Sequence, residues 1–546
     1  MTLGKPDAGK PPVRFDEGRS ETVIGLAPFN PSAPPTLLIT LSPFRLSLFP
    51  YSCAVHIEEQ RRPAPLPRAT ISSSLERWSD AASGPLIYAM LIFSPWAFGT
   101  TQPWSIWTMN IAGYFLGALL LLKWGVRFAG RSARRGSAPV AEPGRPRPKR
   151  AWFAIALGGL TLLILLYCLV AAANARATYF YGDSRFEYHD FIGWLPHSYD
   201  SRRSWLLFWN YLALAASFWA VRDWLGCGRI SPVERENALF SRRWKRLLWV
   251  IALNGGLLAL EGILQRVDGT GKLLWLVEPR VHKDGVSQFG PYAYRSNGAQ
   301  WLNLIWPVAV GFWWHLQRAT ERGSKRRSAH HLLLPCAMLM AAGSMLSLSR
   351  GGALVTVACL GASLLLLFVA QWKKGWKISA AVLLLAGAAV GLGAFVNWGE
   401  FSGRFRTVLT DDLSGRPQTY RLAREMARDY PLFGTGPNTF DPVSQLYRQS
   451  SDQYWAVQVH DDWLETRATF GWAGGALIWL ALLLVWVRPL VRFNGIRMPW
   501  VFVAFVWIAL GGCLIHARFD FPFQIYSILF LSLVLCALLS SVSARR

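Results

Sequence analysis

Long apolar runs alternate with short polar ones along most of this chain. A helix needs about 20 mostly apolar residues to cross a bilayer. Twelve runs approach that length, near 84–99, 104–123, 151–173, 204–221, 246–265, 299–317, 331–348, 351–371, 378–397, 468–487, 499–515 and 522–541. The first is short and carries Pro95. The pattern predicts an all-α polytopic membrane protein of about twelve transmembrane helices, occupying residues 84–541. A long segment, 398–467, separates the ninth and tenth runs. Residues 1–80 differ in kind, being rich in Pro, Ser and Arg without sustained periodicity. The apolar stretch from Thr36 to Phe49 is short and broken by Pro43 and Arg45. It makes neither a span nor a good signal peptide, and residues 1–80 are expected to be disordered.

Composition agrees with the pattern. The 546 residues are 52% hydrophobic and only 16% charged, against about 25% charged in soluble domains. The net charge of +25 raises nucleic acid as a partner, and its distribution argues otherwise. Nine Lys/Arg and a single acid fall in 123–150, seven Lys/Arg in 222–246, five in 318–330, three in "QWKKGWK" and three in 488–497. These loops alternate regularly with the others. The positive-inside rule assigns them, and both termini, to the cytoplasm, and no nucleic-acid recognition motif accompanies them. The seven cysteines form no CxxC pair, so neither a disulfide framework nor a zinc site is indicated.

The opposite side then holds 174–203, 266–298, the tight turn "SLSRGG" and the segment 398–467. That last segment carries seven arginines and ten acids over 400–466, unlike the basic loops, and loops of this length are usually functional. In a cell with two membranes this side is the periplasm and the membrane is the inner one. Arg350 sits where one run emerges and the next re-enters, with Gly351 and Gly352 permitting a tight turn or a close backbone approach. A snorkelling anchor at headgroup level is the bland account of such an arginine. Arg416 precedes Pro417 at a predicted helix start. Arg421, Arg424 and Arg428 follow at spacings of three and four, on or near one face. "GTGPN" makes a turn. His460 stands before two acids at the head of the tenth run, where histidine suits general-base work near neutral pH. Arg295 and Asn297 lie at the outer mouth of the sixth run. Arginines converging on one membrane face suit a diphosphate, whose oxygens they bind bidentately. No second carboxylate pair of the DxD kind accompanies "HDD", so neither metal nor cofactor is expected.

These residues also carry a family resemblance. "SRGG", "SGR…PLFGTGPNTF" and "HDDWLETRATFGWAGG", together with "GWLPHSYDSRRSW" at 193–205 and "FGPYAYRSNGAQWLNLIWP" at 289–307, resemble the O-antigen ligase and polymerase family over residues 84–541. The resemblance implies twelve helices with a periplasmic loop between spans nine and ten. It also implies metal-independent, inverting transfer of a glycan from a polyprenyl-diphosphate carrier. In ligases the acceptor is a sugar hydroxyl of lipid A–core; polymerases join repeat units on the carrier, and protein glycosyltransferases are a third kind of relative. Carried across, Arg350 and Arg416 hold the diphosphate and His460 takes the acceptor proton. Arg295, Asn297 and Arg421 are candidate headgroup contacts. Where the family often has Asn after the histidine this chain has Asp461, which leaves open which neighbour orients His460. From another class, an anion transporter would place charges near the midplane of repeated halves; here they gather at one surface and no repeat is evident.

Overall fold

In lipid every backbone polar group must be satisfied within the protein, so apolar runs of spanning length become helices. The computed structural model describes residues 69–135, 151–226, 240–279, 285–321, 328–371, 387, 416–448, 457–490 and 500–541. In order, these form α1 (Ala69–Trp96), α2 (Pro103–Arg135), α3 (Ala151–Ala173), an antiparallel hairpin of β1 (Ala177–Phe180) and β2 (Arg185–Tyr188), α4 (Ser201–Gly226), α5 (Arg242–Asp268), α6 (Arg295–Glu321), α7 (Leu333–Leu346), α8 (Arg350–Gln371), α9 (Arg416–Asp429), α10 (Phe440–Tyr447), α11 (Asp462–Val487), α12 (Trp500–His516) and α13 (Tyr526–Ser541).

Eleven of the twelve apolar runs fall on these helices. The ninth, 378–397, and the first part of the long segment lie outside the described residues. Among the described residues, seven helices are long and apolar enough to cross a membrane: α2, α3, α4, α5, α7 with the turn before it, α8 and α11. The helices α12 and α13 are apolar but shorter.

The centre of the bundle is α6, buried without interruption from Arg295 to His315. Lipid supplies no hydrophobic drive between helices, so close packing and polar contacts hold them together. Asn303 illustrates this: its Nδ2 donates to Gly352 O (3.0 Å), and its Oδ1 accepts from Trp306 Nε1 (2.9 Å) and Thr356 Oγ1 (2.9 Å). One contact set thereby joins α6 to the head of α8. A second, smaller core lies beside the bundle, where Tyr199, Ala423, Met426, Phe440, Val443, Val459 and Ala468 pack together. It joins the hairpin, α9, α10 and the start of α11. A two-stranded hairpin is marginal alone, and Phe186 against this core anchors it.

Two boundaries differ from the sequence reading. The helix α1 begins at Ala69, inside the stretch expected to be disordered, and α2 runs twelve residues past its apolar part into the basic loop. Ion pairs hold the adjoining turns of both helices. Asp80 binds Lys123 and Arg243 (2.9 Å), Asp223 binds Lys123 (2.6 Å) and Arg127 (2.9 Å), and Glu76 meets Arg127 (3.4 Å). Polar helix ends are thus welded to one another at this end of the bundle. Among the described residues Cys168, Cys336, Cys359, Cys513 and Cys536 are buried free thiols.

Candidate functional site

At the other end of the bundle, the turn between α12 and α13 carries Asp520, which is buried. Its Oδ1 accepts from His460 Nδ1 (3.1 Å) and from the Phe521 amide (3.1 Å). Its Oδ2 accepts from the hydroxyls of Ser296 and Tyr294 (3.4 Å), and lies 3.7 Å from His516 Nε2. Burial alone would push the Asp520 carboxyl up. Hydrogen bonds from His460 and His516, and their charges, more than offset this and hold it well below the ordinary carboxylate range. An ionised carboxylate only accepts hydrogen bonds. Nδ1 of His460 is therefore the protonated nitrogen, and in the neutral ring Nε2 carries the lone pair. Phe521, stacked on Tyr294 (5.5 Å), sets its edge against the His460 ring (4.8 Å). The imidazole is thus held by a charge on one side and by aromatic rings on another.

The "HDD" acids have separate tasks. Asp461 caps α11 by accepting from the Leu464 amide (3.1 Å), and pairs with Arg518. Asp462 accepts from the Phe523 amide (2.8 Å) and Gln524 Nε2 (3.2 Å), tying the head of α11 to the turn that carries Asp520. Glu465 accepts from the Val459 amide (2.9 Å). His460 itself takes a left-handed backbone conformation, with φ of 59°, which a non-glycine residue keeps only when its surroundings impose it. So the neighbour that orients the His460 ring is Asp520, sixty residues away, and Asp461 serves as a helix cap.

Arg416, the first residue of α9, donates from Nη1 to Phe519 O (3.1 Å), one residue from Asp520. One turn further along α9, the Tyr420 hydroxyl donates to His460 O (3.1 Å). Arg350 is half-buried at the first position of α8. Its neighbour Ser349 donates to Ser296 Oγ (3.1 Å), the hydroxyl that also bonds Asp520. His460 thus bonds Asp520 directly and Arg416 bonds the carbonyl next to it, while Arg350 follows Ser349, whose hydroxyl joins the same network. The two glycines after Arg350 serve close approach: a Cβ on Gly351 would stand 2.9 Å from His516 Nε2, and one on Gly352 2.5 Å from the Ala299 Cβ. The left-handed residue of that turn is Leu348 (φ 58°). Arg295 is buried at the start of α6, donating from Nη1 to Val286 O (3.0 Å), and Asn297 is buried two residues on. Arg421 points away from the cluster, half-exposed and paired with Glu425 (3.5 Å).

The "PLFGTG" turn clamps this region to the bundle. The helix α11 breaks at Gly471 (φ 62°, ψ −163°). The freed amides of Trp472 and Ala473 donate to Pro431 O and Leu432 O (2.9 Å each), and the carbonyls of Ala468 and Thr469 accept from Thr435 and Gly436 (3.0 Å each). The Tyr167 hydroxyl of α3 covers Phe433 O (2.6 Å) and Phe470 O (3.0 Å). A broken helix must find new partners for its backbone, and here the turn and one tyrosine supply them.

Asp520, His516 and Ser296 are absent from the sequence reading. For His516 and Asp520 the signal was "HARFDF", three ionisable side chains at alternate positions between adjacent apolar runs. Comparison with known families finds a match between residues 335–479 and the O-antigen ligase family. The match covers Arg350, Arg416, Arg421 and His460 and stops short of Arg295, Asn297, His516 and Asp520. No curated protein matches the chain.

Proposed function

We propose, for a chain that belongs to the O-antigen ligase and polymerase family through residues 335–479, that it transfers a glycan from a polyprenyl-diphosphate carrier to a lipid A–core sugar hydroxyl. The observation that carries this reading is the buried His460–Asp520 pair with Arg416 bonded to the turn that holds Asp520. The acceptor hydroxyl donates its proton to His460 Nε2 as its oxygen attacks the anomeric carbon. The bond from that carbon to the diphosphate breaks, and the diphosphate leaves with the electron pair. The configuration at the anomeric carbon inverts in this single displacement. Asp520 keeps the imidazole in the correct tautomer and stabilises the imidazolium that forms. Arg350 and Arg416 neutralise the departing diphosphate, where preorganised charge acts most strongly. Arg295 and Asn297, buried beside Ser296, shape the headgroup end of the site; Arg421 contacts glycan or solvent at its margin. The site faces the periplasm of an inner-membrane protein whose twelve spans leave both termini in the cytoplasm.

The test is transfer by reconstituted protein from a polyprenyl-diphosphate glycan, with lipid A–core supplied or omitted. A ligase attaches the glycan to lipid A–core and releases free polyprenyl diphosphate. Growth of the glycan on the carrier, independent of lipid A–core, would instead mark a polymerase and refute the acceptor assignment. Transfer is expected to persist in EDTA; a requirement for added divalent metal would overturn arginine-based neutralisation. Arg350→Lys keeps the charge and loses the planar fork. A charge-assisted hydrogen bond contributes roughly 1.5–3 kcal/mol, so kcat/KM for the donor should drop about 10- to 100-fold. Wild-type kinetics in this variant would remove bidentate phosphate binding at residue 350. In Asp520→Asn the carboxylate that holds Nδ1–H is gone, and transfer should slow by about 10²- to 10⁴-fold with unchanged expression.

A further inference from the structure

One buried histidine at the site, His516, takes no part in the transfer as described. It ends α12, and its ring lies among Ser296, Gln300 and Asp520. The Phe519 amide closes the following turn on the His516 carbonyl (2.8 Å). The protons of this cluster can be followed one by one. The Ser296 hydroxyl donates its single proton to Asp520 Oδ2 and accepts from Ser349 Oγ (3.1 Å). His516 Nε2 is 3.1 Å from that hydroxyl and has no proton to accept there, so it donates. His516 Nδ1 faces Gln300 Oε1, an amide oxygen that only accepts. Both ring nitrogens thus carry hydrogen, which makes the ring an imidazolium.

Asp520 then stands between two histidines, with His460 on Oδ1 (3.1 Å) and His516 3.7 Å from Oδ2. A carboxylate beside one histidine favours the charged form of that ring, and a charged His460 would have no lone pair for the acceptor proton. A cation at the other carboxylate oxygen offsets that pull. We propose that His516 is a positioning residue whose positive charge offsets Asp520 from the far side, so that His460 Nε2 keeps its lone pair. This rests on His460 as the base of the transfer. Among the described residues, Asp520 is the carboxylate that His516 contacts. On α11, Asp462 accepts from the Phe523 amide and Gln524, Glu465 accepts from the Val459 amide, and Asp461 pairs with Arg518. On α6, Arg295 donates to Val286 O, and on α9, Arg416 donates to Phe519 O. Arg350 opens α8 one residue before Gly351, on which a Cβ would stand 2.9 Å from His516 Nε2. Cys513, one turn back on α12, and Cys536 of α13 are buried thiols.

The experiment reads ring-nitrogen NMR of full-length protein with isotope-labelled histidine, reconstituted in bilayers near neutral pH. His516 is identified by its peptide link to Ala517, the one His–Ala pair in the chain, and so needs no variant. His460 is identified by its loss in His460→Ala. In wild type, His516 should show two protonated nitrogens and His460 one. In His516→Gln, His460 should gain its second proton. The pH profile of glycan transfer is the second readout. Removing a like charge favours protonation of His460, so the acid-side fall in kcat should move up by about one pH unit in His516→Gln, with the alkaline plateau largely kept. An unprotonated nitrogen on His516 in wild type would overturn the proposal. So would an unmoved acid limb with rates lowered at every pH, the mark of a merely structural role. Should wild type transfer no glycan, the spectra still decide. His460 gaining its proton in His516→Gln supports the shared charge, and a His460 ring unchanged by that substitution refutes it.

Discussion

His460→Ala should lose glycan transfer by about 10²- to 10⁴-fold, the usual contribution of a general base, while the protein inserts and unfolds like wild type. The expectation rests on three features. Nδ1 donates to a carboxylate held in its ionised form, so Nε2 is the basic nitrogen. The ring is buried against Phe521, which limits its rotation. The backbone at His460 is left-handed, and the Val459 amide on Glu465 and the Asp461 cap hold it so. Alanine removes the base and leaves those backbone ties in place. Transfer within two-fold of wild type, measured in proteoliposomes at matched protein, would remove His460 as the base.

Gly471→Ala should remove most folded protein from the membrane fraction. At φ 62° and ψ −163° the residue occupies a region open essentially to glycine alone, where other residues cost about 1–3 kcal/mol. A Cβ there would also collide with Leu432 O, a backbone atom fixed by its bond from Ala473. Relief would require the 431–436 turn to leave the break in α11, exposing the amides and carbonyls it now satisfies. Each buried group left unsatisfied costs about 1–3 kcal/mol, and these losses together rival the stability of a typical domain, about 5–15 kcal/mol. A control lies in α3: a Cβ on Gly159 meets nothing within 4 Å, so Gly159→Ala should leave stability unchanged or raise it by about 0.5–1 kcal/mol. Folded yield and unfolding temperature distinguish the two. Equal behaviour of both variants would contradict the clamp.

The helices were legible because lipid enforces them: an apolar run of spanning length has one good conformation. The ends were less legible. At Ala69–Asp80 and at Lys123–Arg135 the sequence is polar, and the ion pairs of Glu76, Asp80, Lys123 and Arg127 join distant segments there. The site divides in the same way. His460 and Arg416 stood out as chemistry-bearing residues near a predicted helix start, and the fold brings them to one turn. Arg421, a lesser candidate for headgroup contact, lies on an outward helical face, because Leu422, Ala423, Met426 and Ala427 claim the inner one. Asp520 was invisible because its meaning lies in a contact across sixty residues. The break at Gly471 was hidden too, since a glycine amid "ATFGWAGG" reads as helix until a turn is known to dock there.

The central claim is that His460 and Asp520 act as one unit in glycan transfer, and a double-mutant cycle on kcat tests it most directly. Transfer would be measured for wild type, His460→Ala, Asp520→Asn and the double variant, with unfolding temperatures confirming that all four fold. Residues acting as a unit are strongly non-additive. The account predicts that the double variant is no slower than His460→Ala alone. Losses that multiply, with the double variant slower by the product of the single effects, would contradict it.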